Sequence, residues 1–228
     1  MAFDQRLALE ARPNVRVFTW NPPAISLGFK QEPPAWLAMA DWRSGGLEVV
    51  ERPTGGGIAL HGSDVSISVV APRRLGRSPH ALVSAVCDSA RRLCRAYGLE
   101  AVAEELTAVQ PARITYCLTQ PSPYAVFLAD RKVAGFALRR FPNSWLVQGS
   151  LLVRPLPAVL AEALPRDVRD VVEERAVSLS EASGRWVDEA DVAQRWTAPS
   201  SGFGVQGSGR LPRTPNPEPR TDQRRVLA

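Results

Sequence analysis

The chain has 228 residues, of which 45% are hydrophobic, and this length allows one domain with a substantial core. Its net charge of +5 at pH 7 comes mainly from five arginines after residue 196, so the remainder is too weakly basic for a nucleic-acid-binding surface. An odd number of cysteines, no bilayer-spanning apolar run and an acidic start (Asp4, Glu10) predict a cytoplasmic protein with reduced thiols and no membrane partner.

The N-terminal part of the sequence predicts a short helix followed by several strands. Residues 2–12 have helical spacing of their apolar positions. Beyond them, apolar or alternating runs are typical of β-strands. The predicted strands are 15–20, 24–28, 47–51, 58–61 and 65–70, the last two flanking a turn at Gly62–Asp64.

The clearest helical signal follows Ser78. Ser78 suits the N-cap, Pro79 the first helical position and Gly98 the terminator. Its helically spaced positions predict packing against a sheet; they are Leu82, Ala85, Val86, Ser89, Leu93 and Tyr97. Cys87 and Cys94 share one face of this helix and have no His or Cys partner at metal-ligand spacing, so they are expected in the core and no metal site is predicted.

The second half of the chain is rich in β-structure. The predicted strands are 113–118, 124–140 with a hairpin turn at Asp130–Arg131, and 145–153 after a turn at 141–144, with short helices at 156–163 and 188–196. Residues 197–228 are rich in Ser, Gly, Pro and Arg and are expected to form a flexible tail. Strands mixed with helices, without regular βαβ alternation, predict an α+β domain over residues 1–196, on a largely antiparallel or mixed sheet flanked by helices.

Three consecutive glycines, Gly55–Gly57, precede the strand that ends at His61. Glycine lets backbone approach a ligand without interference from a Cβ atom, so this stretch could border a flat or extended ligand. A bulged hairpin is the alternative. A phosphate loop is excluded, because no Lys–Ser/Thr pair follows the glycines. His61 is a candidate pocket residue, or equally a structural histidine.

A cysteine and a lysine form the second candidate constellation. Cys117 ends a predicted strand, and Lys132 opens a hairpin arm shortly before Gly135. Only Lys30 and Lys132 are lysines in a chain whose other basic residues are arginines, which suggests a role for a compact amine, although chance would also explain it. An ammonium near a thiol favours the nucleophilic thiolate and stabilises an oxyanion. The alternative is a buried core thiol beside a solvated lysine.

Five segments in sequence order resemble the lipoate–protein ligase A and octanoyltransferase family, relatives of the biotin–protein ligases. "MAFDQRLALEA" is similar to its opening helix, and "AISLGFKQ" to its "(V/I)xxGxxQ" segment. "ERPTGGGIALHGSDVSIS" resembles "RRxTGGGxVxHxxxxxxS", and "YCLTQPSPYAVFLADRKVAGFALRR…LVQGSLL" resembles "CFxxPSxYEVVVxGRKVAGSAQRR…LQHGSLL". "AVSLSEASGR" is similar to "xTSLxEVLGR". The resemblance implies an α+β domain that holds an acyl chain in a hydrophobic tunnel.

The resemblance also implies roles for particular residues. Cys117 would be the nucleophile and Lys132 the contact to the acyl carbonyl. The implied substrate-binding residues are Arg52, Thr54, Gly55, Gly56, Gly57, His61 and Gly135. The sequence departs from the family pattern at Glu51, where an arginine is common, and at Phe136, Leu138 and Gln148, where Ser, Gln and His are usual.

Two chemistries share this scaffold. A transferase takes an octanoyl or lipoyl group from acyl carrier protein through a cysteine thioester and passes it to a lysine of a lipoyl domain or glycine-cleavage H protein, without a cofactor. A ligase instead uses ATP with Mg to form lipoyl-adenylate. Three features favour transfer over ligation. Cys117 supplies a nucleophile, the polar tail is unlike the accessory domain that bacterial ligases often append, and the negative charge of Glu51 lies where ATP phosphates would approach. A non-catalytic protein that binds acylated or lipoylated carrier domains is the third possibility.

Overall fold

The computed structural model describes residues 1–38, 42, 45–104, 116–119, 122 and 124–198. The helices are α1 (Ala2–Leu9), α2 (Ala35–Ala38), α3 (Pro79–Ala96), α4 (Ala158–Ala163), α5 (Arg166–Arg175), α6 (Leu179–Ser183) and α7 (Glu189–Thr197). The strands are β1 (Asn14–Phe18), β2 (Ala24–Leu27), β3 (Glu48–Glu51), β4 (Ala59–His61), β5 (Asp64–Pro72), β6 (Ala101–Glu104), β7 (Ala125–Leu128), β8 (Arg131–Arg140) and β9 (Ser144–Leu152).

Two sheets carry the architecture. The larger has six strands in the order β1-β5-β9-β8-β7-β6, and each neighbouring pair is antiparallel. The smaller has the order β3-β2-β4, in which β2 is parallel to β3 and antiparallel to β4. The predicted α+β fold on a largely antiparallel or mixed sheet is therefore confirmed.

Strand β5 lies inside the larger sheet and is buried along its whole length. Val65, Ile67 and Val69 alternate along it and belong to the main hydrophobic core, as their spacing predicts. The intervening residues, Asp64, Ser66 and Ser68, are polar and buried as well. Both faces of this strand are thus covered by other parts of the chain, and the polar face needs hydrogen-bond partners there.

Helix α3 packs on the larger sheet and follows the prediction closely. The Ser78 hydroxyl accepts a hydrogen bond from the Ala81 amide at 3.1 Å, Pro79 is the first helical residue, and Gly98 has a φ of +80° just beyond the end. Cys87 and Cys94 are buried as predicted, and the buried side also includes Val83 and Ala90, which were not predicted. Burial raises the pKa of the Cys94 thiol to about 12, as expected for a cysteine in the core.

A second core lies between the smaller sheet and helices α4 and α5. Its members include Ile25, Leu60, Leu160 and Val172. Helix α5 was not predicted, because Val168 and Val172 are its only buried residues. Helices α2 and α6 and strand β6 are also additional to the prediction.

Two predicted segments fall partly outside the described residues. Of the predicted strand 113–118, the structure describes Tyr116, which forms an isolated bridge with Ile58, and a turn that begins at Cys117. Helix α7 runs to Thr197, one residue past its predicted end and the first residue of the predicted tail, and residues 199–228 are not described. Across the residues that the structure describes, no helix has the length and apolar character to cross a membrane.

Close packing of β8 on β9 requires glycine at position 149. A Cβ added to Gly149 would lie 2.2 Å from Phe136 Cδ1 and 2.3 Å from the Gly135 oxygen, so the strands would have to separate. We expect Gly149→Ala to lower the free energy of unfolding by about 1–3 kcal/mol in urea denaturation. Gly45→Ala is the control, because the nearest atom to its added Cβ is 3.5 Å away. Equal stability losses in the two variants would contradict this account.

Candidate active site

The glycine segment Gly55–Gly57 lies in the connection between β3 and β4, against the loop that follows β2. The Phe29 amide donates to the Thr54 oxygen at 2.8 Å. A Cβ added to Gly28 would lie 2.0 Å from the Gly56 oxygen, and Gly56 has a φ of +93°, a conformation that side chains disfavour. Glycine at these positions therefore permits a direct contact between two backbone segments.

The buried side chain of Arg52 forms hydrogen bonds to the glycine segment. Arg52 is 6% exposed, and its guanidinium donates to the backbone oxygens of Ser26 at 2.9 Å, of Gly55 at 3.1 Å and of Gly57. Its Nη2 atom also lies 3.4 Å from the sulfur of Cys117. The positive charge of Arg52 is thus held next to a thiol.

Cys117 forms hydrogen bonds to the C-terminal end of the same glycine segment. Its amide donates to the Ile58 oxygen at 2.7 Å, and its thiol lies 3.3 Å from the Gly57 oxygen, which accepts from it. The side chain is half-buried. A thiol beside a guanidinium and open to a cavity has the surroundings of a reactive cysteine.

Lys132, at the start of β8, points into the same region. The side chain is 2% exposed, and its ammonium donates to the Ser122 hydroxyl at 3.0 Å. Burial lowers the pKa of Lys132 from 10.5 to about 8, and the nearby Cys117 acts in the opposite direction. A Cβ added to Gly135 would lie 2.9 Å from Lys132 Cε and 3.1 Å from Nζ, so glycine leaves room for the amine.

These groups meet at one cavity of about 380 Å³, a volume in the range of small-molecule sites. Cys117 and Lys132 both line it, so the structure brings together the two groups that the sequence analysis paired. Most of the remaining wall is apolar or aromatic and includes Phe18, Ile67, Tyr124, Phe136 and Leu138. The cavity can hold an extended apolar ligand with its polar end at the sulfur and the amine.

The other predicted site residues divide into two groups. Arg52, Gly56, Gly57, His61 and Gly135 line the cavity. Thr54 and Gly55 are not part of its wall. The buried Thr54 hydroxyl donates to Gln148 Oε1 at 3.0 Å, and the Gly55 oxygen accepts from Arg52.

His61 presents its ring to the cavity, but its nitrogens bond to protein groups. Nδ1 lies 2.8 Å from Asp64 Oδ2, and Nε2 lies 2.8 Å from the Ser26 hydroxyl. The ring stacks on Trp20 with a centroid separation of 4.2 Å. Its hydrogen-bonding capacity is therefore used within the protein.

Several residues at the cavity were not identified from the sequence. They are Ser122, which accepts from Lys132, and Tyr116 and Tyr124, none of which carries a sequence signal of its own. Phe136 and Leu138 were noted as departures from the family pattern, and both belong to the wall. The departures thus make this part of the wall apolar.

Neither Glu51 nor a metal cluster contributes to this cavity. Glu51 is exposed at the end of β3. No group of three or more His, Cys, Asp or Glu side chains in the described part of the chain has the arrangement of a metal site.

Residues 1–199 match the family model described as the lipoyl protein ligase A/B catalytic domain. The octanoyltransferase LipM of Symbiobacterium thermophilum is 32% identical over 225 residues, covering 87% of this chain and 79% of that protein. The octanoyltransferase LipM of Moorella thermoacetica is 31% identical over 210 residues, covering 82% of this chain and 75% of the relative.

Solved structures agree in fold. A lipoate-protein ligase A bound with ATP superposes with a TM-score of 0.63 at 19% identity, covering 86% of this chain and 75% of that one. The bipartite lipoate protein ligase of Thermoplasma acidophilum gives a TM-score of 0.58 at 17% identity, covering 85% and 76%. The sequence match over nearly the whole described domain, together with this fold, places the chain in the lipoyl protein ligase A/B catalytic domain family.

Proposed function

We propose that this protein transfers an octanoyl group from acyl carrier protein to a lysine of a lipoyl-accepting domain, through a thioester on Cys117. The observation that carries the proposal is the convergence of Cys117 and Lys132 on one apolar cavity. The relatives named octanoyltransferase support it. A lipoyl domain or a glycine-cleavage H protein would be the acceptor.

In the first half-reaction, the thiolate of Cys117 attacks the carbonyl carbon of the octanoyl thioester. A bond forms between that carbon and the Cys117 sulfur, the bond to the carrier sulfur breaks, and the carrier thiolate takes a proton from water. Arg52, whose Nη2 is 3.4 Å from the Cys117 sulfur, places a positive charge beside the attacking atom. This charge is complementary to the negative charge of the attacking sulfur.

Lys132 stabilises the transition state on the other side of the carbonyl group. Negative charge develops on the acyl oxygen, and a buried ammonium that donates to this oxygen is more effective than a solvated one. Ser122 holds the Lys132 amine at 3.0 Å, and Gly135 leaves the space that the amine occupies. Lys132 must be protonated for this role.

In the second half-reaction, the neutral amine of the acceptor lysine attacks the thioester on Cys117. A carbon–nitrogen bond forms, the carbon–sulfur bond breaks, Cys117 leaves as a thiolate, and the amine proton passes to solvent. Conversion of a thioester to an amide is downhill, so this route needs no nucleotide.

The cavity wall provides affinity for the hydrocarbon part of the substrate. Ile67, Phe136 and Leu138 form apolar surface, and each methylene that leaves water contributes about 0.8 kcal/mol. An octanoyl chain that binds here would place its carbonyl carbon at the polar end, between Cys117 and Lys132.

The covalent intermediate is tested with Cys117→Ser. We expect the wild-type protein, incubated with octanoyl–acyl carrier protein, to gain the mass of one octanoyl group at Cys117. Cys117→Ser should lose this thioester and at least about 100-fold in turnover. Cys94→Ala, which alters a core cysteine, should keep both. An octanoyl thioester on another residue would contradict the mechanism. ATP–pyrophosphate exchange with free lipoate would indicate a ligase. Carrier binding without either reaction would indicate a binding protein.

The role of Lys132 predicts a specific pH dependence. Its pKa of about 8 means that the ammonium is lost as the pH rises past that value, so kcat/KM for acylation should fall there. Lys132→Ala should lower kcat/KM by about 100-fold or more and should abolish this fall. Lys30→Ala, at the exposed second lysine, is the matched control and should retain wild-type kinetics. An alkaline fall that persists in Lys132→Ala would assign it to another group.

The buried ammonium should also reduce stability in a pH-dependent manner. Between pH 8 and pH 10.5 the unfolded chain keeps the Lys132 proton while the folded protein loses it, so stability rises with pH across this interval. Relative to Lys132→Met, the free energy of unfolding of the wild type should therefore increase by about 3 kcal/mol from neutral pH to the upper end. Urea denaturation at a series of pH values measures the difference, and a difference independent of pH would show that burial does not affect the amine.

A further inference from the structure

A continuous line of hydrogen bonds, buried from Asp64 to Arg52 and part-buried at the sulfur, connects Asp64 to the candidate nucleophile. Asp64 Oδ2 lies 2.8 Å from His61 Nδ1, and His61 Nε2 lies 2.8 Å from the Ser26 hydroxyl. The Ser26 hydroxyl accepts from Arg52 Nη1 at 3.1 Å, and Arg52 Nη2 lies 3.4 Å from the Cys117 sulfur. The three side chains behind Arg52 are each at most 5% exposed.

The surroundings of Asp64 fix the direction of these hydrogen bonds. Its carboxylate accepts from the Ser66 hydroxyl and from the Gly62 amide, both at 3.0 Å, so it faces His61 as a further acceptor. His61 Nδ1 is therefore the donor to Asp64, and in the neutral imidazole this leaves Nε2 to accept from the Ser26 hydroxyl. The lone pairs of the Ser26 oxygen are then left for Arg52, which is the acceptor that a guanidinium requires.

The aromatic contact of His61 completes this arrangement. Trp20 stacks on the imidazole at an interplanar angle of 17° and donates from its indole nitrogen to the Ser66 hydroxyl at 2.9 Å. Because Ser66 in turn donates to Asp64, the ring of His61 is held at its edge and at its face. A side chain fixed at so many points is suited to orienting a neighbour.

We propose that Ser26, His61 and Asp64 are positioning residues that keep the Arg52 guanidinium at the Cys117 sulfur and thereby support the reactive thiolate. This inference rests on the proposed function, in which Cys117 attacks the acyl donor. It assigns to His61 a task different from substrate binding. The side chain lines the cavity, yet it acts through Arg52.

Ser26→Ala tests the proposal, because it removes one hydroxyl from the line and leaves the backbone oxygen that also binds Arg52. The readout is the rate of alkylation of Cys117 by iodoacetamide near neutral pH, followed on the Cys117 peptide by mass spectrometry. We expect a decrease of roughly 3- to 10-fold, the range for loss of one hydrogen bond. The control is Ser68→Ala, since the buried Ser68 hydroxyl has no hydrogen-bond partner among the described residues and lies outside the cavity wall. It should react as the wild type does.

A steady-state comparison separates positioning from a general structural effect. Ser26→Ala should lower kcat for octanoyl transfer and leave KM for octanoyl–acyl carrier protein unchanged, because the hydroxyl touches no substrate. A proportional rise in KM, or an alkylation rate equal to that of Ser68→Ala, would overturn the proposal. Alkylation does not require acyl transfer. It therefore still measures how this line of hydrogen bonds affects the reactivity of Cys117, even if Cys117→Ser proves the proposed reaction wrong.

A double-mutant cycle provides the second criterion. If Ser26 acts only through Arg52, Ser26→Ala should cause no further loss of alkylation rate when combined with Arg52→Lys. Should Arg52→Lys fail to fold, His61→Gln takes its place in the cycle, with the same expected lack of additivity. Fully additive losses would show that these residues act independently, and this would overturn the proposal that Ser26 acts on Cys117 through Arg52.

Discussion

A buried guanidinium holds the candidate active site together. Arg52 binds the backbone of β2, two carbonyl oxygens of the glycine segment and the sulfur of Cys117, so one side chain joins segments that are distant in the sequence. Burial of a charge is unfavourable unless its donors find acceptors, and here the backbone oxygens and a serine hydroxyl supply them. The positive φ of Gly56 lets the chain turn so that these oxygens converge. The glycines thus serve the arginine as well as the cavity.

The cavity combines two opposing requirements. Apolar walls suit a hydrocarbon chain, but they also remove water from the charged groups at the polar end. For Lys132 the result is a pKa of about 8, so its amine is charged at neutral pH and loses the charge in alkaline solution. The same exclusion of water strengthens each remaining electrostatic interaction, which is why a few charges suffice in such a site.

Sequence patterns predicted the elements with strong local signals. Helix α3 and strand β5 were identified because their apolar residues recur at regular spacing, whereas α5 buries only Val168 and Val172 and β6 is a four-residue edge strand with Val102 exposed. The pairing of Cys117 with Lys132 was suggested by chemistry and by family resemblance. The contact of Ser26 with His61 could not be predicted, because it depends on the pairing of β2 with β4 across 35 residues of chain.

The position of Lys132 has a consequence for fidelity. In the proposed reaction the Lys132 amine lies near the thioester on Cys117, where it is itself a potential acceptor, and its acylation would give a dead-end amide inside the protein. An ammonium has no lone pair for attack, and a pKa of about 8 leaves most molecules in that form at neutral pH. The proton on Lys132 would therefore act as a safeguard against self-modification, one that weakens as the medium becomes alkaline.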